Sequence, residues 1–91
     1  MIGVYIQAAS MTAEQYKSID DKLRDSGASL DGLKLHTCFR EGEGLAIFDV
    51  WESKEAFEAL GSTLMPIVQE FGAEMSAPQF VEMIAYEVAS T

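Results

Sequence analysis

His36 and Asp49 are the residues of this chain whose types and spacing are best suited to chemistry. His36 is the only histidine, and Asp49 follows it in the next segment with strand character. A carboxylate beside an imidazole fixes its tautomer and raises its pKa toward the pH at which a general base works. The two side chains act together only if they meet on one face of a sheet. The surrounding strands and helices determine whether they do.

The segments that carry these two residues flank a glycine-rich turn. Residues 32–40 and 45–52 have strand character, and Glu-Gly-Glu-Gly joins them at 41–44, which predicts a β-hairpin. A symmetric turn pairs Arg40 with Leu45 and places His36 opposite Asp49. The same register pairs Lys34 with Trp51 and Cys38 with Ile47 on that face, and it assigns Leu35–Val50, Thr37–Phe48 and Phe39–Ala46 to a face covered by the helices.

Two helices are predicted around the hairpin. The first starts with a capping box at Thr12 and stops at Ser26-Gly27. The second follows an N-cap at Ser53 and stops at Gly72. Pro66 removes a backbone donor from this second helix, so we expect a kink or two helical pieces there.

Residues 2–9 and 79–88 are predicted as the first and last strands. The resulting order, βαββαβ, predicts an α+β fold of the ferredoxin-like kind, with a four-stranded antiparallel sheet and both helices on one face. The length fits a single domain over residues 1–91.

Alternation along the outer strands predicts what surrounds His36. It places Tyr5, Gln7, Glu82, Ile84 and Tyr86 on the face of His36 and assigns Ile2, Val4, Ile6, Val81, Met83 and Ala85 to the space under the helices. With Ile47 and Trp51 added, the uncovered face is too apolar to remain in water. We therefore expect a homodimer that packs through the open sheet face and encloses a pocket.

Two interpretations of this pocket are open. In the first, His36 is a general base oriented by Asp49, and Tyr5, Trp51, Glu82 and Tyr86 are substrate-binding residues for a small aromatic or carbonyl-bearing metabolite. In the second, the pair only fixes the strand register inside a non-catalytic interaction or regulatory domain. No close spacing of His, Asp and Glu supports a metal site, so we expect no metal and no cofactor.

Charge and composition exclude several partners. Fifteen acidic residues against six basic ones give a formal charge of −9, which repels nucleic acid. No apolar run approaches the roughly 20 residues that span a membrane. The first residues lack the features of a signal peptide, and Cys38 is the single cysteine, so we expect a cytoplasmic protein.

The strand–helix junction after the turn carries a family resemblance. Residues 44–57, Gly-Leu-Ala-Ile-Phe-Asp-Val-Trp-Glu-Ser-Lys-Glu-Ala-Phe, resemble this junction in the dimeric α/β-barrel superfamily, near its antibiotic-biosynthesis-monooxygenase-like branch. The likeness spans the chain in order and length. It implies a face-to-face dimer with a ligand pocket between sheet and helices, and an activity such as cofactor-independent monooxygenation or isomerisation.

Two departures from the family pattern narrow these implications. The monooxygenase branch has an asparagine four residues before the tryptophan, where this chain has Ile47, and this weakens a quinone-type oxygenase mechanism. Haem-degrading relatives carry their iron-binding histidine in the second helical region, whereas the histidine of this chain lies in the predicted second strand. The resemblance therefore does not imply haem.

Overall fold

The computed structural model describes residues 1–89 as a four-stranded antiparallel sheet with two helices. The elements are β1 (Ile2–Ala8), α1 (Ala13–Asp25), β2 (Leu33–Glu41), β3 (Gly44–Trp51), α2 (Lys54–Glu70) and β4 (Gln79–Glu82). The strand order across the sheet is β2-β3-β1-β4. This ferredoxin-like βαββαβ arrangement confirms the predicted fold class.

Capping side chains set the start of both helices, as predicted. Thr12 Oγ1 accepts a hydrogen bond from the backbone N–H of Gln15, whose side chain in turn accepts from the N–H of Thr12. Ser53 Oγ accepts from the N–H of Ala56 at 3.2 Å. These bonds satisfy donors that the first turn of a helix leaves free.

Of the two outcomes predicted at Pro66, the division of α2 into two helical pieces is wrong, because the helix runs through Pro66 without interruption. Ser62 and Pro66 are both exposed, so the carbonyl that Pro66 leaves without a donor stays in contact with water. Phe57 and Ile67 are buried on either side of the proline. Packing of this apolar face on the sheet therefore holds one continuous helix. No helix in residues 1–89 is long and apolar enough to cross a membrane.

The hairpin register is the predicted one through most of its length. His36 pairs with Asp49, Cys38 with Ile47 and Arg40 with Leu45. The predicted Lys34–Trp51 pair is wrong: Leu33 pairs with Trp51 and Leu35 with Val50, which leaves Lys34 as the extra residue of a β-bulge.

The predicted assignment of the hairpin faces is also wrong. β3 pairs with β1 so that Val4 lies opposite Asp49 and Ile6 opposite Ile47, and directly opposed residues share a face. Val4, Ile6, Ile47 and Trp51 all belong to the core under the helices. The His36–Asp49 pair therefore faces the helices. The residues on the open side are Leu35, Thr37 and Phe39 of β2, Ala46, Phe48 and Val50 of β3, and Tyr5 and Gln7 of β1.

The last strand is shorter than predicted and is also placed differently. β4 ends at Glu82, which pairs with Ile2, the first residue of β1. One further backbone hydrogen bond, from the N–H of Met83 to the carbonyl oxygen of Met1, follows at 3.2 Å. Val81 pairs with Gly3 and, like Met83, lies within contact distance of a Cβ built on that glycine. Both side chains therefore lie on the open face instead of under the helices.

Candidate functional site

A cavity of about 70 Å³ lies between the helix-facing side of the sheet and the two helices. One water needs about 10–15 Å³ of such space, so the cavity holds about five waters or a small organic molecule. Its wall is mostly apolar, formed by residues such as Ile6, Ile19, Leu60 and Leu64. The polar residues in the wall are Tyr16, Asp20, Arg24, His36 and Asp49.

Three of these polar residues form a hydrogen-bonded chain. Asp49 Oδ1 lies 2.7 Å from Nδ1 of His36, and the other imidazole nitrogen, Nε2, lies 2.6 Å from the hydroxyl of Tyr16. The second carboxylate oxygen of Asp49 accepts from Trp51 Nε1 at 3.2 Å. Asp49 is 7% exposed and Trp51 is fully buried, so the Asp49 end of this hydrogen-bonded series is shielded from water.

The hydrogen bonds assign the protonation of neutral His36. A carboxylate only accepts, so Nδ1 carries the proton that is donated to Asp49. Nε2 is then the basic nitrogen, and it accepts the Tyr16 hydroxyl hydrogen. The hydrogen bond to Asp49 raises the pKa of His36 from its ordinary value of 6.5, against an opposing effect of burial. Burial, followed by the charge of Asp20, raises the pKa of Tyr16 to about 12.

These pKa shifts indicate which residue of the Tyr16–His36–Asp49 series can donate a proton and which can accept one. At neutral pH the Tyr16 phenol is a hydrogen-bond donor, and His36 can take up a proton because Asp49 stabilises the resulting imidazolium. Acid and base lie side by side at the cavity wall. The site is therefore suited to proton transfer.

A second polar pair lies further along α1. Arg24 Nε donates to Asp20 Oδ2 at 2.9 Å, in an i,i+4 ion pair whose side chains are 58% and 29% exposed. Both residues line the cavity. The guanidinium thus forms part of the cavity mouth, away from the buried carboxylate of Asp49.

The structure brings together three of the six residues that the sequence singled out. His36, Asp49 and Trp51 line the cavity, whereas Tyr5, Glu82 and Tyr86 lie outside it. Tyr5 pairs with Phe48 on the open face and donates to both carboxylate oxygens of Glu41, at 2.8 and 2.6 Å.

Glu82 and Tyr86 are excluded from the cavity by the sheet order and by the length of β4. Glu82 lies on β4, at the opposite edge of the sheet from His36 on β2; three strand spacings are about 14 Å. Tyr86 follows the end of β4.

The described residues contain no group of three or more His, Cys, Asp or Glu side chains that could hold a metal ion. Cys38 is half-buried, and desolvation raises the pKa of its thiol. A raised pKa leaves little thiolate at neutral pH, so Cys38 is poorly suited to act as a nucleophile.

Tyr16, Asp20 and Arg24 are site residues that the sequence pattern did not indicate. Tyr16 belongs to the apolar stripe of α1 with Ile19 and Leu23, where a tyrosine is usually a packing residue. The available signal was the spacing of the three: residues four apart lie on one face of a helix, so a phenol, a carboxylate and a guanidinium interrupt the face that packs on the sheet.

Comparison with known proteins adds nothing to this geometry. No family model matches the chain, and no curated protein matches it.

Proposed function

We propose that this protein binds a small carbonyl-bearing molecule in the cavity between sheet and helices and transfers a proton at the carbon next to the carbonyl. One observation carries the proposal: the Tyr16 hydroxyl and the basic nitrogen of His36 lie 2.6 Å apart in the wall of that cavity. An acid and a base at this separation match the two atoms of a carbonyl compound that change during enolisation.

The distance between the two reacting atoms of a ketone is close to the distance between the Tyr16 hydroxyl and Nε2 of His36. The oxygen of a carbonyl group and the neighbouring carbon are about 2.4 Å apart. A bound ketone displaces the Tyr16 hydroxyl from His36, and the hydroxyl then donates to the carbonyl oxygen. Nε2 of His36 takes the proton from the neighbouring carbon, the C–H electron pair moves into the new C=C bond, and the carbonyl electrons move to the oxygen that Tyr16 stabilises.

Asp49 stabilises the proton acceptor in this step. It stabilises the imidazolium that forms when His36 accepts the proton, and it is itself held by the indole N–H of Trp51. The mostly apolar wall lowers the effective dielectric around a bound molecule, which strengthens these interactions. In a substrate that has a C=C bond next to the deprotonated carbon, return of the proton to the far end of that bond shifts the double bond, which is an isomerisation without any cofactor.

The family resemblance supports the same step. It implies a pocket between sheet and helices and activities that include isomerases and cofactor-independent monooxygenases. A carbanion beside a carbonyl is a species that reacts with O₂, so both activities can begin with the proton transfer proposed for His36.

We further propose that two copies of the chain pack through the open sheet face. Neither helix covers this face, and it exposes Phe39 (42%) and Val81 (48%). Such an apolar surface is stabilised by a partner, and a second copy of the sheet supplies one of matching shape. The cavity lies on the other side of each sheet, so each protomer keeps its own site.

Solvent-deuterium exchange tests the catalytic proposal. The protein is incubated in D₂O with small ketones (butanone, levulinate and methyl levulinate), and loss of the proton signals next to the carbonyl is followed by NMR. We expect exchange above the buffer rate for the wild type and a loss of about 100-fold or more in His36→Gln. Lys22→Gln is the control, because Lys22 lies on α1 but pairs with Glu70 outside the cavity.

Two outcomes contradict the proposal. Equal exchange in the wild type and in His36→Gln would remove His36 as the base. Absence of catalysed exchange with all three ketones, together with an unchanged Trp51 indole N–H resonance on their addition, would favour the non-catalytic interaction domain.

A further inference from the structure

The polar residues that α1 contributes to the cavity wall form a row along one face of the helix. Tyr16, Asp20 and Arg24 follow one another at intervals of four residues and all line the cavity. Tyr16 and Arg24 are thus two turns apart, about 12 Å along the helix axis. Ile19 and Leu23 line the cavity between them. A molecule in the cavity therefore meets the proton-transfer pair at one end of this row and, beyond Asp20, the Arg24 cation at the other end.

Arg24 is the one lysine or arginine in the described cavity wall. Asp20 accepts from its Nε at 2.9 Å, which orients the planar guanidinium and leaves its two terminal nitrogens for another acceptor. Those nitrogens form the fork that binds a carboxylate through two parallel hydrogen bonds. The long, half-exposed side chain can adjust to the end of a short ligand.

The charges of the cavity also set the direction in which an anion would lie. Asp49 is buried at the His36 end, and burial is the largest cause that raises the pKa of Tyr16 to about 12. This end already disfavours one negative charge, the phenolate, so it disfavours a ligand carboxylate in the same way. The mouth, where the guanidinium lies, is the favourable place for it.

We infer that Arg24 is a binding residue for the carboxylate of the ligand, and that the ligand is a small oxo acid whose carbonyl group lies at Tyr16 and His36 while its carboxylate lies at Arg24. The inference rests on the proposed function, because it takes the cavity beside His36 as the ligand site. It adds the substrate class and the orientation of the substrate.

Two probes that share a ketone, one with a free carboxylate and one with its methyl ester, test this inference. Levulinate carries a ketone and a carboxylate, and methyl levulinate is its neutral ester. Binding is followed by titration of the Trp51 indole N–H resonance, which belongs to the only tryptophan of the chain and comes from the cavity wall. We expect Arg24→Gln to weaken the binding of levulinate about tenfold or more and to leave that of methyl levulinate unchanged.

Two further variants sharpen the comparison. Arg24→Lys keeps the charge without the planar fork, so its affinity for levulinate should lie between those of the wild type and Arg24→Gln. Lys22→Gln removes the same charge from the same helix at a residue outside the cavity wall. It should bind both probes as the wild type does.

The possible failures are distinguishable. If Arg24→Gln binds levulinate as well as the wild type does, or loses affinity equally for both probes, the Asp20–Arg24 pair only stabilises α1 and the inference is overturned while the proposed function stands. The same holds if the wild type binds the ester but not the acid. If neither probe shifts the Trp51 resonance of the wild type, the inference and the ligand site it rests on both fail.

Discussion

Tyr16 and His36 come from different elements, α1 and β2, yet the phenol oxygen lies 2.6 Å from Nε2 of the imidazole. Their rings are parallel within 10°. The contact fixes the helix relative to the strand at the wall of the cavity. It also completes a chain from a buried carboxylate through an imidazole to a hydroxyl, so the geometry of the fold and that of the site depend on the same contact.

Replacing Asp49 with Asn should lower the pKa of His36. The hydrogen bond from His36 to the carboxylate is the main cause that raises this pKa, and burial opposes it. In Asp49→Asn the charge is gone and the burial remains. The proton NMR signals of the only histidine report this pKa directly. A titration midpoint in the variant equal to or above that of the wild type would show that Asp49 is not the cause of the raised pKa of His36.

The His36–Asp49 pair should stabilise the fold more at low pH than at high pH. The pKa of His36 in the folded protein lies above its ordinary value of 6.5, so its stabilising contribution is complete below about pH 6.5 and is lost as the pH rises through the folded pKa. Urea unfolding of the wild type and His36→Gln at about pH 5.5 and about pH 9 measures this difference. A larger difference at the higher pH would have the wrong sign.

Gly44 should not tolerate a side chain. A Cβ there would collide with the backbone carbonyl oxygens of Ala8 and Ala9, and backbone cannot move aside as a flexible side chain can. Gly44→Ala should therefore cost about 2 kcal/mol or more of unfolding free energy. Gly61→Ala is the matched control: its Cβ meets no atom within 4 Å, and alanine in a helix should stabilise by about 0.5–1 kcal/mol.

A charge on the open sheet face should separate the proposed dimer. Phe39 is 42% exposed on that face, and Met65 is 46% exposed on α2. We expect the wild type to sediment as a dimer, and Phe39→Glu to raise the dissociation constant about tenfold or more because it places an unpaired charge in an apolar interface. Met65→Glu should leave the dimer intact. A monomeric wild type would refute the dimer.

The fold was predictable because local signals agreed along the chain. The capping residues Thr12 and Ser53 mark both helix starts, and the turn at 41–44 fixes the register that brings His36 opposite Asp49. Only the hairpin pairing follows from a short turn. Pairing between β1 and β3, which are distant in sequence, is set by tertiary packing.

This long-range pairing decides which face of the hairpin is buried, and the sequence of β3 does not reveal it. Nearly every residue of β3 is buried on one face or the other, so its alternation between apolar and polar residues is weak. The pair was therefore predicted, but on the wrong side of the sheet. Tyr16 and Arg24 could not be predicted as site residues for the same reason, because they lie near His36 only when His36 is on the helix-facing side of the sheet.

The pH dependence of deuterium exchange tests the central claim most directly. If neutral His36 is the base, the exchange rate rises with pH through a midpoint equal to the pKa of His36 measured by NMR on the same protein, and Asp49→Asn moves both midpoints down together. A rate that ignores the His36 titration, or two midpoints that move apart in Asp49→Asn, would contradict proton transfer by the Tyr16–His36–Asp49 chain.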